Sequence, residues 1–236
     1  MSRSFADARR WMQRGTELYL SAVDRLDEAG LAAGSALPDW TRRQLVAHVA
    51  ANADALGNLV HWAKTGVETP MYASPEARAQ GIEEGSRRST SALLAWARSS
   101  VDQLEEAMSQ LSDEQWERSI VTAQGRTVPA TEIPWLRARE VCVHAVDLGM
   151  AVTFADLPTD FLAAIGTDIV AKRSATPAVA LHLEPTDSAI AWDLPGAEPA
   201  VAITAPLSDL VAYLSGRTID LSTSDGSPAP ALPAWL

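Results

Sequence analysis

Apolar residues recur every three or four positions through most of the first 150 residues, a pattern typical of amphipathic helices. The polar positions between them predict one solvated face for each helix. Thr41 followed by Gln44 fits a capping box at the start of the second segment. The spacing predicts four long helical segments: Ser4 to about Glu28, Thr41 to about Lys64 with an end at Gly66, Pro75 to about Leu111 with an interruption near Gly85, and Trp135 to Gly149.

The pattern changes after about residue 150. A helix is predicted over Leu157 to Arg173 and another over Leu207 to Leu214. Three short apolar or alternating runs between them, bounded by Pro, Asp and Gly, predict strands at residues 178–183, 189–192 and 200–204. The fold class is therefore α+β, with an N-terminal four-helix bundle over residues 1–154 and a small C-terminal α/β domain over residues 155–236.

Composition narrows the possible functions. The 236 residues carry a net charge of −11, which argues against nucleic acid or an anionic membrane as a partner. Neither an apolar run of 18 residues nor a signal-peptide pattern is present, so we expect a cytoplasmic protein, and nothing requires more than a monomer. The single cysteine, Cys142, excludes an internal disulfide and a cysteine-rich zinc site.

The last bundle helix carries the first candidate for chemistry. Glu140 and His144 are four residues apart, which places them about 40° apart on one helical face. Their neighbours are apolar, and a buried carboxylate needs a partner such as a metal ion. The pair alone is weak evidence, since Glu and His at this spacing occur in many helices as exposed ion pairs.

A third ligand is available on another helix. His48 lies on the apolar stripe of the second segment with Asn52 one turn further on, whereas His61 is turned about 220° away from His48. His48 would complete a three-ligand site with an open position, the recurring form of catalytic zinc. The alternative is a core histidine bonded to a carbonyl oxygen.

Two further residues of the last bundle helix bear on this site. Asp147 follows His144 by about one turn and either accepts a hydrogen bond from it or is a solvated charge. Cys142 is about 200° around the helix from Glu140, so we expect it to point away and to pack as a small hydrophobic residue.

Several longer runs identify the chain as similar to a known family. They are Trp40-Thr41-Arg42, Leu45 to Ala50 with Asn52, His61-Trp62-Ala63, Thr65-Gly66, Glu68 to Tyr72, Ser74 to Arg78, Thr122 to Ala130, Arg139-Glu140-Val141, His144 to Gly149, Gly216-Arg217 and Trp235-Leu236. With these runs the chain resembles mycothiol-dependent maleylpyruvate isomerases, members of the DinB-like group of thiol-using metalloenzymes. The resemblance covers essentially the whole chain.

The resemblance implies a divalent metal, usually zinc, held by His48, Glu140 and His144, and an arginine matching Arg217 that is important for activity. It also implies that mycothiol supplies a thiol and that maleylpyruvate becomes fumarylpyruvate in gentisate breakdown. The implied fold is a helical bundle followed by a small α/β-type domain, in agreement with the hydrophobic pattern.

The implied chemistry fits the residues. Rotation about a double bond needs transient addition of a nucleophile, and since Cys142 is expected to point away, an external thiol fits. A substrate with two carboxylates should meet arginines. Arg217 is the first candidate, followed by Arg78 and Arg126, for which a surface or loop-bracing role is the alternative.

Two other functions stay open from the sequence. A mycothiol S-transferase would use the same metal and thiol but would consume the thiol stoichiometrically, whereas an isomerase returns it. A bundle that only binds a metal or a small ligand would show no thiol-dependent turnover.

Overall fold

The fold is described from a computed structural model of the chain, which describes residues 3–176, 178–217, 219–232 and 235. The chain divides into two compact units. Ser4–Val152 forms the bundle unit, and Thr153–Leu236 together with Arg3 forms the C-terminal unit. The division falls two residues before the boundary predicted after residue 154.

The bundle unit contains seven α-helices, one 3₁₀ turn at Ala130–Glu132 and one small hairpin. Their bounds are α1 Phe5–Val23, α2 Glu28–Ala32, α3 Arg42–Thr65, α4 Pro75–Ser86, α5 Thr90–Ser109, α6 Asp113–Trp116, β1 Ser119–Val121, β2 Thr127–Pro129 and α7 Ile133–Asp147. The four long helices α1, α3, α5 and α7 form the bundle: α7 packs against α1 and α3, and α5 packs against the same two helices. The four-helix bundle predicted from the hydrophobic pattern is confirmed.

Local signals set the limits of α3, which carries the first candidate ligand. Thr41 and Gln44 form the predicted capping box, with the Thr41 amide donating to Gln44 Oε1 at 2.9 Å. At its other end, Gly66 adopts the left-handed conformation (φ 78°) that closes many helices. A buried stripe between these ends packs α3 against its neighbours.

Three predicted elements need correction. The strand predicted at 200–204 is longer and spans Gly196–Ala205. The first helix ends at Val23 rather than near Glu28, because Asp27 caps a separate short helix by accepting from the Gly30 amide at 2.7 Å. The predicted strand at 189–192 starts only at its last residue, Trp192. Before it, the Ile190 amide donates to the Ser188 hydroxyl, a local bond that replaces a ladder bond.

The C-terminal unit combines helices with a three-stranded sheet. Its elements are α8 Thr159–Ser174, β3 Ala178–Pro185, β4 Trp192–Leu194, β5 Gly196–Ala205 and α9 Leu207–Leu214. β3 is central, antiparallel to β4 and parallel to β5. Leu181 and Leu183 are buried while His182 between them is not, as the alternation predicts. The α+β fold class is confirmed. Among the described residues, no helix is both long and apolar enough to cross a membrane.

Candidate metal centre

Three metal-ligating side chains converge between α3 and α7. One ligand atom from each of His48, Glu140 and His144 lies within 4.8 Å of those of the other two. His48 Nε2 is 3.1 Å from Glu140 Oε2, and His144 Nε2 is 3.4 Å from the same oxygen. The two imidazoles are nearly perpendicular, with ring centroids 5.0 Å apart. The three residues selected from the sequence therefore meet in one place.

Helix geometry accounts for this convergence. Glu140 and His144 are one turn apart on α7, and His48 lies on the face of α3 that packs against α7. His48 is buried and the other two are partly buried. Cys142 points away as predicted: its Sγ lies 3.6 Å from the Trp11 carbonyl oxygen of α1. His61 is exposed on the outside of α3.

The carboxylate is held in its charged form. Burial raises the pKa of Glu140, but hydrogen bonds from His144 and His48 outweigh burial and bring the pKa well below its usual value. For His48, burial is the largest effect and lowers its pKa. Glu140 is thus a negatively charged oxygen donor, and His48 is a neutral nitrogen donor near pH 7.

Asp147 controls the proton of His144. His144 Nδ1 lies 2.8 Å from Asp147 Oδ2, and this carboxylate is fully buried. Burial lowers the pKa of His144, yet the contacts with Asp147 and Glu140 raise it to about 9. An acceptor at Nδ1 holds a proton on that nitrogen, so when the imidazolium loses a proton it is Nε2 that gains a lone pair facing the cluster.

The donor set fits a small divalent cation. Zinc binds imidazole nitrogen and carboxylate oxygen at about 2.0–2.2 Å, which separates neighbouring ligands of a tetrahedral site by about 3.4 Å. The contacts from Glu140 Oε2 to the two Nε2 atoms, 3.1 and 3.4 Å, already have this spacing. Two neutral donors and one anion also leave a divalent site positively charged.

A buried arginine lies beside the cluster. It was not identified as a site residue from the sequence. Arg137 is 2% exposed and donates from Nη1 to the Val49 carbonyl at 2.7 Å and to Asn52 Oδ1 at 3.0 Å. Its Nη2 has no hydrogen-bond partner among the described residues. Arg137 precedes His144 by seven residues, two helical turns, and this spacing could have identified it. Asn52 therefore joins α3 to α7 through Arg137.

Arg78 reaches the cluster from α4. Its Nη2 lies 3.5 Å from His48 Nδ1, a long contact, and its guanidinium carbon lies 6.0 Å from the Tyr72 ring centre. Arg126 is exposed in the turn of the β1–β2 hairpin, where its amide donates to Thr122 Oγ1. Arg78, one of the three arginines proposed from the sequence, therefore contacts a residue of the cluster.

Arg217 belongs to the C-terminal unit. It follows Gly216, which has φ 76°, just after α9. Its backbone amide donates to the Ala212 carbonyl at 3.0 Å, and its side-chain Nη1 donates to the Ser215 carbonyl at 2.7 Å. These bonds fold the segment back onto the end of α9.

The bundle unit thus belongs to a recognised class, helical bundles with a histidine–carboxylate cluster between facing helices. Residues 12–149 match the family model described as the mycothiol maleylpyruvate isomerase N-terminal domain. The chain belongs to the mycothiol maleylpyruvate isomerase family.

Solved structures agree with this assignment. The chain is 38% identical to the crystal structure of the mycothiol-dependent maleylpyruvate isomerase, with a TM-score of 0.93, over 99% of this chain and 98% of that chain. A structure of a histidine-to-alanine mutant of that isomerase gives the same values. A search of curated proteins finds no match.

A more distant likeness is to YfiT from Bacillus subtilis, described as a probable metal-dependent hydrolase with an unusual four-helix bundle topology. It is 21% identical over 63% of this chain and 89% of that chain, with a TM-score of 0.48.

Proposed function

We propose that this protein is a mycothiol-dependent cis–trans isomerase that converts maleylpyruvate to fumarylpyruvate. One observation carries the proposal: the His48, Glu140 and His144 cluster is present in a chain that matches a mycothiol-dependent maleylpyruvate isomerase over 99% of its length. The proposal includes a cytoplasmic, monomeric enzyme and a dicarboxylate substrate.

The reaction requires a transient single bond. The sulfur, as thiolate, adds to the carbon–carbon double bond conjugated to the ketone, and the electron pair of that bond moves through the conjugated system onto the carbonyl oxygen. The former double bond can then rotate. Return of the electron pair expels the sulfur and restores the double bond in the trans geometry, so the thiol is regenerated.

We propose that His48, Glu140 and His144 bind a divalent cation, with zinc as the first candidate. When bound, the cation supplies positive charge that favours a thiolate over a thiol, whose ordinary pKa is about 8.5. Asp147 accepts a hydrogen bond from the Nδ1–H of His144, which keeps the proton on Nδ1 and leaves Nε2 as the nitrogen that would bind the cation.

Arginines are proposed to bind the substrate carboxylates. Arg78 is supported by its position, since its guanidinium is 3.5 Å from His48 Nδ1. A cation held by His48 Nε2 would leave the proton on Nδ1, so Arg78 would lose its acceptor there and could bind a carboxylate instead. Arg217 and Arg126 remain further candidates, and Arg217 is proposed to be essential for turnover.

The deciding experiment follows maleylpyruvate conversion by the purified, zinc-loaded protein with and without substoichiometric mycothiol. We expect fumarylpyruvate to form in many-fold excess over the thiol, with the thiol undiminished at the end. An S-transferase would consume one thiol per product. No conversion by protein shown to contain metal would contradict the proposal.

The role of Arg217 has its own test. Arg217→Ala should lower kcat/KM by about 100-fold or more, a loss typical for removal of one charge-stabilising donor, while the metal content stays unchanged. Arg87→Ala is the matched control, because Arg87 pairs with Glu83 on the exposed surface of α4. Loss of metal in Arg217→Ala, or unchanged turnover, would contradict this role.

A further inference from the structure

A cavity of about 350 Å³ lies in the bundle unit among α3, α4, α5 and the segment before α4. Its volume is at the lower end of the roughly 300–1,000 Å³ typical of small-molecule sites. None of the three candidate metal ligands lines it. The proposed function therefore does not yet account for this space.

The wall of the cavity combines an aromatic ring with hydrogen-bonding groups. The Trp96 indole of α5 is partly buried and donates from Nε1 to Asp54 Oδ2 at 2.9 Å. The Arg88 guanidinium lies 4.2 Å from the centre of the indole ring. Asp54 can accept several more hydrogen bonds, since a carboxylate offers about four lone-pair sites. Rings with an apolar face and hydroxyl edges suit such a wall.

The charges around the cavity balance. Asp54 and Glu84 contribute two carboxylates, and Arg78 and Arg88 contribute two guanidinium groups. A site built for a dianion would have an excess of cationic side chains. The balance of donors and acceptors instead favours a neutral ligand rich in hydroxyl groups.

Glycines on α4 keep this space open. A Cβ at Gly81, which lines the cavity, would meet nothing within 4 Å. One turn later, Gly85 allows the Trp96 ring to approach closely, because a Cβ there would be 2.5 Å from the ring. A larger side chain at Gly81 would therefore enter the cavity without displacing protein atoms at its Cβ.

The cavity and the metal-ligand cluster share a wall. Arg78 and Tyr72 line the cavity, and Arg78 Nη2 is also 3.5 Å from His48 Nδ1. Mycothiol joins a cysteine derivative, which carries the thiol, to a glucosamine–inositol pair, which carries many hydroxyl groups. We infer that the cavity binds the glucosamine–inositol part while the thiol lies at the cluster. This inference rests on the proposed function for the identity of the thiol.

The test uses the thiol-free probe N-acetylglucosaminyl-inositol, which is neutral because its nitrogen is acylated as in mycothiol, titrated calorimetrically into the zinc-loaded protein. Gly81→Leu should weaken its binding at least ten-fold, since the new side chain occupies the cavity. Gly57→Leu is the matched control: Gly57 is also a helical glycine with open space at its Cβ, but it does not line the cavity, so the probe should bind as in the wild type. Replacing glycine by leucine inside a helix favours the helix, so both variants should fold.

A second variant changes the charge of the cavity wall rather than the volume of the cavity. Asp54→Asn keeps the shape of the side chain but removes its charge, and it should also weaken binding of the probe. Binding that is absent in the wild type, or equal in Gly81→Leu and the wild type, would overturn the inference even if mycothiol supports turnover. Probe binding that Gly81→Leu abolishes, in a protein without mycothiol-dependent turnover, would support a polyol site and contradict the proposed function.

Discussion

Helix α7 packs against α1 and α3 through two faces of different chemistry. Towards α1 it presents Cys142 to Gly15, whose absent Cβ would lie 2.4 Å from the cysteine sulfur. Trp135 packs edge-on against Trp11 on the same side, with ring centroids 5.7 Å apart. Towards α3 the same helix presents Glu140 and His144, and Arg137 reaches acceptors of α3. One helix therefore has a close-packed apolar face and a face of buried charges.

The face towards α1 and the face towards α3 have different roles. Close packing stabilises the pair α1 and α7, and burial there raises the pKa of the Cys142 thiol, so this sulfur is unreactive. On the other face each charged group loses hydration and needs a specific partner. Changes on the apolar face should therefore affect stability, whereas changes on the charged face should affect metal binding and turnover.

The largest expected effect comes from Glu140→Gln. Replacing a residue that hydrogen-bonds to a metal ligand typically weakens metal binding by roughly 10–100-fold. Loss of the anionic ligand itself should weaken zinc binding by more than this, and turnover should fall with it. Chelator competition and product formation measure the two effects. Cys142→Ala, two residues away on the other face, should bind zinc and turn over as the wild type does. Unchanged zinc affinity in Glu140→Gln would remove Glu140 from the ligand set.

Asp147→Asn tests the partner of His144. The substitution keeps the shape but removes the charge that orients the imidazole, so zinc affinity should fall by about 10–100-fold. The matched control is Asp193→Asn, because Asp193 makes the same 2.8 Å contact with His182 on the exposed sheet surface. Equal effects of the two substitutions on zinc affinity would contradict the role of Asp147.

The charged face should also make zinc binding depend on pH. His144 has its pKa raised to about 9, so in the metal-free protein it carries a proton at pH 7 that ligation must displace. Affinity should rise by up to about tenfold per pH unit as the pH approaches 9, and each zinc bound near pH 7 should release about one proton. Calorimetry in buffers of different ionisation enthalpy measures this proton. Affinity that is independent of pH from 6.5 to 8.5 would contradict the assignment.

Whereas zinc affinity should rise with pH, the free energy of unfolding of the metal-free protein should fall as the pH rises. A pKa raised above the unfolded value of about 6.5 contributes stability that is complete below that pH and is lost as the pH rises through about 9. Denaturant unfolding of the metal-free protein at several pH values checks this sign. His144→Gln should remove this contribution and flatten the dependence.

The smallest expected effect concerns the apolar face. Gly15→Ala should destabilise the protein by about 1–3 kcal/mol, since the new methyl group would overlap Cys142 Sγ and Val141 Cγ2. Combining it with Cys142→Ala removes the closest of these atoms and should restore part of the loss. Denaturant unfolding of the four proteins gives the coupling energy. Additive losses would show that the two residues do not compete for this space.

Much of the bundle could be predicted from the sequence because its signals are local. The spacing of apolar residues identified the long helices, and the capping box at Thr41 and the glycine at position 66 set the limits of α3. The same helical spacing placed Glu140 and His144 on one face and turned Cys142 away from them, as the structure confirms. The roles of these residues as metal ligands stay a prediction.

Two other kinds of feature were not predictable in this way: local hydrogen bonds that compete with helix or strand formation, and contacts between residues far apart in the chain. The end of α1 at Val23 and the late start of β4 depend on competing local hydrogen bonds, which periodicity does not show. The partners of Arg137 and the cavity beside Gly81 each require several helices to be in place.

Local sequence was enough to predict which faces of α3 and α7 carry the histidines and the carboxylate, because a helix repeats its side-chain directions every 3.6 residues. The meeting of these faces, the burial of Asp147 beside His144 and the acceptors of Arg137 on α3 depend on how the helices pack against one another. The physical reason is that a buried charge or cavity is defined by atoms far apart in the chain, whose positions no local pattern contains.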